Sequence, residues 1–193
     1  MKNFKNICAA LSVVFIASCG TSQVAVKGTT KQPVVSSSRE SRLADAIHNE
    51  VNRHRVSKGL KKLEIHRGLT KLAQSHSNYM RDNAGKFSVE SDTGLITHYG
   101  FEAREVYVKR KYRIMSLSEN VLASWRLGQG VDLAPKMLKS WLDSPNHRHN
   151  IESKWALTGM AVSFDNNGKV FVTQLFGAAP SQAHRLATPT GEW

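Results

Sequence analysis

The sequence predicts an α+β fold in which helices pack on a small antiparallel sheet, and three observations carry that prediction. Apolar residues in the first half of the globular region recur every three to four positions, those near the C-terminus alternate with a period of two, and Asp165-Asn166-Asn167-Gly168 separates the two alternating runs. Helical periodicity first and a hairpin last put helices and strands in separate stretches of chain, which is the α+β arrangement.

Each element has its own signal. Leu43, Ile47 and Val51 are spaced by four, and Gly59 stands where a helix C-cap would fall, so a helix is expected over about 41–58. Leu69, Leu72, Ala73, His76 and Met80 lie at offsets 0, 3, 4, 7 and 11. On a helix they share one arc of about 100°, which faces the core. A third helical stretch is expected near 119–127 and a fourth from Asp132, whose carboxylate would cap it, to Leu142. Pro135 falls in the first turn of that helix, where a missing N–H is tolerated, and Pro145 closes it. Met160, Val162 and Phe164 then alternate with Gly159, Ala161 and Ser163, and Val170, Val172 and Gln174 alternate with Phe171, Thr173 and Leu175. The Asn and Gly residues between these strands accept the positive φ that a tight turn requires. Arg113 to Leu117 offers one further strand.

The chain has 193 residues, 40% of them hydrophobic, with 27 Lys+Arg against 15 Asp+Glu. That length supports one core burying roughly 70% of the surface the unfolded chain exposes. The composition excludes a disordered polyelectrolyte, a collagen-like chain and a disulfide-rich mini-protein. Both cysteines, Cys8 and Cys19, precede anything that could form a core. Lys2 and Lys5 lead into an apolar stretch, Ile7 to Ile16, that as a helix would reach about 15 Å, half of a ~30 Å bilayer core, so it reads as an export signal. It ends in Ile16-Ala17-Ser18-Cys19-Gly20, which resembles the bacterial lipobox, where small residues precede a Cys that becomes the acylated first residue.

The expected organisation is therefore a lipoprotein signal peptide at 1–18, lipidation at Cys19, a flexible tether at 19–39, the globular domain at 40–177 and a C-terminal tail at 178–193. Removing the signal, with its two lysines, takes the net charge from +12 to +10. A basic protein anchored by lipid in the bacterial cell envelope, on the periplasmic or cell-surface side, meets anionic headgroups and wall polymers, not nucleic acid. Lys109-Arg110-Lys111, with Arg113 close behind, carries no nucleic-acid-module pattern and reads as a solvated basic face.

Seven landmarks follow in order: Val51-Asn52-x-x-Arg55-x-x-x-Gly59-Leu60-x-x-Leu63, Ala73-x-x-His76-Ser77-x-x-Met80, His98, Ser118-Glu119-Asn120-Val121, Trp141-Leu142-Asp143-Ser144-Pro145-Asn146-His147-Arg148-His149-Asn150-Ile151, Thr158-Gly159-Met160-Ala161-Val162 and Thr173-Gln174-Leu175-Phe176. Together they resemble a bacterial CAP (SCP-like) domain, the superfamily of cysteine-rich secretory proteins, antigen 5 and pathogenesis-related proteins, over about 45–177. The resemblance implies an α-β-α sandwich, an extracytoplasmic setting and a cleft. In many members two His and two Glu line that cleft, and some hold a divalent metal there. By motif these places fall on His98, Glu119 and His147; the place of the second Glu, three residues after Trp141, is Ser144.

Two imidazoles and one carboxylate would complete a three-ligand zinc site with an open position for water, and the missing second acid would leave such a metal weakly bound. A hydrolase would also need a general base, and Glu119 cannot easily serve as both ligand and base. No His-Glu-x-x-His helix is present, and neither Ser77 nor Ser118 sits in a Gly-x-Ser-x-Gly elbow. The leading reading is a non-catalytic binding module for an envelope ligand such as lipid or anionic cell-wall polymer. The alternative is a metal-dependent hydrolase or peptidase using His98, His147 and Glu119. His76, on an apolar helical arc, reads as a buried histidine holding one hydrogen bond, Trp141 as core, and Asn120 as a tie for its own segment.

Lipidation is testable directly. Each buried CH₂ contributes about 0.8 kcal/mol and one acyl chain alone is marginal, so several chains at Cys19 give lasting attachment. Cys19→Ser is expected to move the protein from salt-washed membranes to the soluble fraction; a variant that still sediments would remove the anchor.

Overall fold

The computed structural model describes residues 38–85, 98–124 and 133–179. The expected signal peptide, Cys19, nearly all of the tether, Trp125, Asp132 and the tail beyond Ala179 lie outside them.

The first helix, α1 (Arg39–Ser57), begins where the Ser38 hydroxyl accepts the Ser41 N–H at 3.1 Å and ends before Gly59, whose φ of +72° suits a residue without a side chain. Ala44, Ile47 and Val51 turn inward together with Asn52 and Arg55. Both polar residues serve the chain that follows. Asn52 exchanges two hydrogen bonds with the backbone of Leu63, at 2.8 and 3.1 Å, and the buried Arg55 guanidinium donates to the carbonyls of Lys61, Ile151, Ser153 and Trp155. These bonds fix where β1 (Glu64–Ile65) starts. His66 then caps α2 (Arg67–Asn83), its Nδ1 accepting the Leu69 N–H at 3.2 Å.

The remaining elements are α3 (Phe101–Tyr112), β2 (Leu117–Ser124), α4 (Leu133–Asp143), α5 (Pro145–Glu152), β3 (Leu157–Phe164) and β4 (Val170–Gly177). The four strands form one sheet in the order β1-β3-β4-β2. The β3–β4 hairpin turns through Asp165 to Gly168, with Gly168 at φ +82° and the Asp165 N–H bonded to the Lys169 carbonyl at 3.0 Å. One face of the hairpin, with Met160, Val162, Val170, Val172 and Phe176, packs on Ile47, Val51, Met137, Trp141 and Ile151 of α1, α4 and α5. The other face carries Ala161 and Leu175 against Leu69 and Ala73 of α2 and Val108 of α3, with Phe171 against Met80. Three layers result, α-β-α. The α2 layer sits so close that a Cβ at Gly159 would meet the Leu69 backbone carbon at 2.2 Å, which leaves room there for glycine alone.

Several expectations need correction. The stretch expected as a helix near 119–127 is a strand from Leu117 to Ser124, because it pairs with β4 residue for residue along its full length. Arg113 is not part of it: at φ +57° it ends α3 in the left-handed region. Pro145 opens a new helix at its first position besides ending the last one, and that helix carries His147. The sheet is mixed rather than wholly antiparallel, since the two-residue β1 runs parallel to β3. That strand is too short to show an alternation. α3 has no periodic signal in the sequence either, as Val108 is its only fully buried residue.

The His66 cap makes stability depend on pH. Nδ1 accepts a hydrogen bond only when unprotonated, and burial lowers the imidazole pKa from its ordinary 6.5. Burial also lowers His48 and His147. Between the lowered values and 6.5 the unfolded chain binds more protons than the folded one, so stability falls as the pH drops below about 6.5. His66→Asn keeps a capping acceptor without a titrating group. Its urea midpoint is expected to change less between pH 7.5 and pH 5 than that of the parent.

Candidate functional site

Alternation along β2 sends Glu119 to the α2 face of the sheet and Asn120 to the α5 face, and the two residues organise different halves of the site. Glu119 is only 5% exposed. Its Oε1 lies 3.0 Å from His98 Nδ1 and its Oε2 accepts from Arg104 Nη2 at 2.6 Å. Deeper in, His76 Nδ1 is 3.6 Å from Oε2 and 3.1 Å from Thr173 Oγ1, and Ser77 Oγ also reaches Thr173 Oγ1 at 3.0 Å. Arg104 uses its other terminal nitrogen to hold the Tyr99 carbonyl at 2.8 Å. It thereby ties the turn that carries His98 to the carboxylate His98 itself touches.

On the other face, Asn120 Nδ2 donates to the His147 carbonyl at 3.0 Å while its Oδ1 accepts from Asn150 Nδ2 at 2.9 Å. Asn150 Nδ2 also reaches the Glu119 carbonyl at 3.2 Å, and the buried Trp141 indole donates to the Val121 carbonyl at 3.0 Å. These side chains satisfy carbonyls on the edge of β2 that no strand covers. They also anchor the start of α5, which carries His147. That imidazole is half-buried, and its pKa is lowered by burial first and then by the charge of His98. His98, with a side chain 47% exposed, precedes Tyr99, which stacks on Tyr79 with centroids 4.6 Å apart.

The geometry brings His98 and Glu119 into contact and His147 to the adjoining edge of β2. It also sets His76 against the same carboxylate. His149 is exposed and apart from them. Two participants are not visible in the sequence. Arg104 sits on a helix without an apolar period, so nothing marks it. Asn150 shares a helical face with His147 three positions earlier, a spacing readable only if Pro145 is taken as the start of a helix.

The sequence profile of the CAP: Cysteine-rich secretory protein family matches residues 48–176. The chain belongs to this family. Its fold is similar to that of an outer surface protein from Borrelia burgdorferi, at 17% identity and a TM-score of 0.55, over 71% of this chain and 92% of that one. A cysteine-rich secretory protein from Staphylococcus aureus subsp. aureus Mu50 matches with a TM-score of 0.51 and 20% identity, over 77% of this chain. An extracellular protein containing an SCP domain from Bacillus anthracis str. Ames matches with a TM-score of 0.50 and 25% identity, over 72%. In both of the latter the match spans 41% of the relative's length. Comparison with curated protein sequences returns no match.

The residues of this CAP domain can be tested against the metal some of its relatives hold. Among the described residues no group of three or more His, Cys, Asp or Glu is arranged to hold a metal ion. Both oxygens of Glu119 face other partners, one of them the permanent cation of Arg104. The set as arranged does not fit a three-ligand centre.

The Arg104–Glu119 pair is nearly dry, with side chains 11% and 2% exposed. Removing one partner of such a pair strands the other charge and costs about 3–5 kcal/mol. Arg104→Ala is expected to lose about that much in denaturant unfolding, and adding Glu119→Gln should recover part of it. If the double variant is no more stable than Arg104→Ala alone, the ion pair is not what secures the site.

Proposed function

We propose that this CAP-domain protein is an extracytoplasmic, lipid-anchored binding module whose cleft captures an envelope ligand, a lipid or an anionic cell-wall polymer, without turning it over. The observation that carries this is the state of Glu119. Each of its oxygens already has a partner, which biases the carboxylate toward holding its neighbours over removing a proton from a ligand. Here one oxygen accepts from Arg104 and the other lies against His98. Ser144 stands where the family resemblance implies a second acid, so no other carboxylate of the motif can take over. What remains accessible is His98, the half-buried His147 and the exposed ring of Tyr99. These groups can donate hydrogen bonds and stack on a ligand. Zinc held by the two imidazoles alone would exchange readily.

The extracytoplasmic setting is supported by the export signal and by relatives named as an outer surface protein and an extracellular protein. Attachment would come from Cys19, since among the described residues no helix is long and apolar enough to cross a membrane.

The full chain in detergent, incubated with casein and with a mixed peptide library, is expected to show no turnover with or without added zinc. Calorimetric titration with lipoteichoic acid and with phosphatidylglycerol micelles should show binding to one of them. His98→Ala or His147→Ala should weaken it about fivefold or more, as for a residue central to an interface. Zinc-dependent cleavage abolished by His98→Ala would replace this reading with the hydrolase. Binding unchanged in both variants would move the ligand away from the cleft.

A further inference from the structure

The outer face of α3 has no role in the cleft. Phe101, Arg104, Val108 and Tyr112 turn inward, which leaves Val106 at 48% exposure, Tyr107 at 45% and, just past the helix, Met115 at 53%. Among the described residues only six large apolar side chains are this exposed, and three of them fall within these ten positions. Val106 and Tyr107 line a shallow groove of about 720 Å³ with Glu102, Ala103, Arg110 and Lys111. Lys109, Arg110, Lys111 and Arg113 crowd the same end, and none of them takes part in an ion pair among the described residues.

A basic last turn complements the negative end of a helix dipole, and that accounts for cations there. It does not account for apolar side chains left in water beside them. A soluble polyanion would engage the cations and gain nothing from Val106, Tyr107 or Met115. A bilayer with anionic headgroups uses both, because each cation near its surface is attracted to the lipid phosphates while apolar groups enter the boundary with the acyl region.

We propose that the C-terminal end of α3, with Met115, docks on an anionic lipid bilayer as a second membrane contact, independent of acylation at Cys19 and of the cleft. Lys109, Arg110, Lys111 and Arg113 meet the phosphates, and Val106, Tyr107 and Met115 enter the interface. The surface would hold the domain against a membrane at a defined orientation instead of leaving it free on its tether.

The test is hydrogen exchange on the full-length chain reconstituted in vesicles. Amides of 101–115 are expected to exchange about fivefold more slowly, or better, on vesicles containing phosphatidylglycerol than on pure phosphatidylcholine, the factor corresponding to roughly one cation's attraction to the surface. High salt should remove the difference. The variant Lys109→Gln/Arg110→Gln/Lys111→Gln and the variant Val106→Ser/Tyr107→Ser should each lose the protection while exchange in β3 and β4 stays unchanged, which shows that the fold is intact. Equal exchange on the two lipids, or protection that survives the glutamine variant, would overturn the proposal. Protection by soluble polyphosphate that is indifferent to Val106→Ser/Tyr107→Ser would overturn it in favour of a polymer.

Discussion

Burial of both faces of the β3–β4 hairpin is the constraint on which the other elements depend. Every residue of β4, and all of β3 except its two ends, lies inside. Most polar side-chain groups in those strands find partners in the protein, Gln174 Oε1 being left without one among the described residues, and each one unpaired costs about 1–3 kcal/mol. Thr158 Oγ1 donates to the Leu175 carbonyl at 2.9 Å and accepts from Gln174 Nε2 at 3.2 Å. Ser163 is held by Asn78 and Gln74, and Thr173 by His76 and Ser77. The stripe of α2 that faces the sheet therefore mixes Leu69, Ala73 and Met80 with the polar His76 and Ser77, and Gly159 lets the helix approach closely enough for those short side chains to reach.

The same sandwich explains how a site forms at one edge. β2 is the edge strand beside β4, and an open edge invites pairing with other chains. Here the outward carbonyls of Glu119 and Val121 are taken by Asn150 and Trp141, side chains of the helices that follow. Closing the edge with side chains instead of another strand brings α5, and with it the His147 backbone, against β2. Because successive strand residues point to opposite faces, Glu119 reaches the α2 layer and Asn120 the α5 layer. Two adjacent positions thus join both helical layers at one place.

The legible parts of the sequence are those with a long period or a specific turn. α1 and α2 have apolar arcs of about two and three turns, and the hairpin has two alternating runs around Asn and Gly. β2 reads wrongly as a helix because Leu117, Val121 and Leu122 fit a helical spacing as well as an alternation, and only pairing with β4 decides between them. β1 is two residues long and defined by its backbone bonds to β3. α3 buries one full residue, so no periodicity could announce it, and Arg104 is hidden with it. Of the cleft, the family motifs locate His98, Glu119 and His147. They carry no information about the cation that sits on Glu119, because that cation comes from an element outside every motif.

That cation bears on the chemistry of the whole cleft. A lone carboxylate taken out of water is unfavourable unless its charge is balanced nearby. In a site with two acids and two imidazoles, a divalent ion is one way to supply the balance. With Ser144 in place of one acid, a single negative charge remains, and the single positive charge of Arg104 matches it. With the Arg104 guanidinium on Oε2, the charge of the buried Glu119 carboxylate is balanced from within the protein. The carboxylate thus holds the Arg104 guanidinium on one oxygen and lies against the exposed His98 on the other, which joins α3 and the turn carrying His98 to β2.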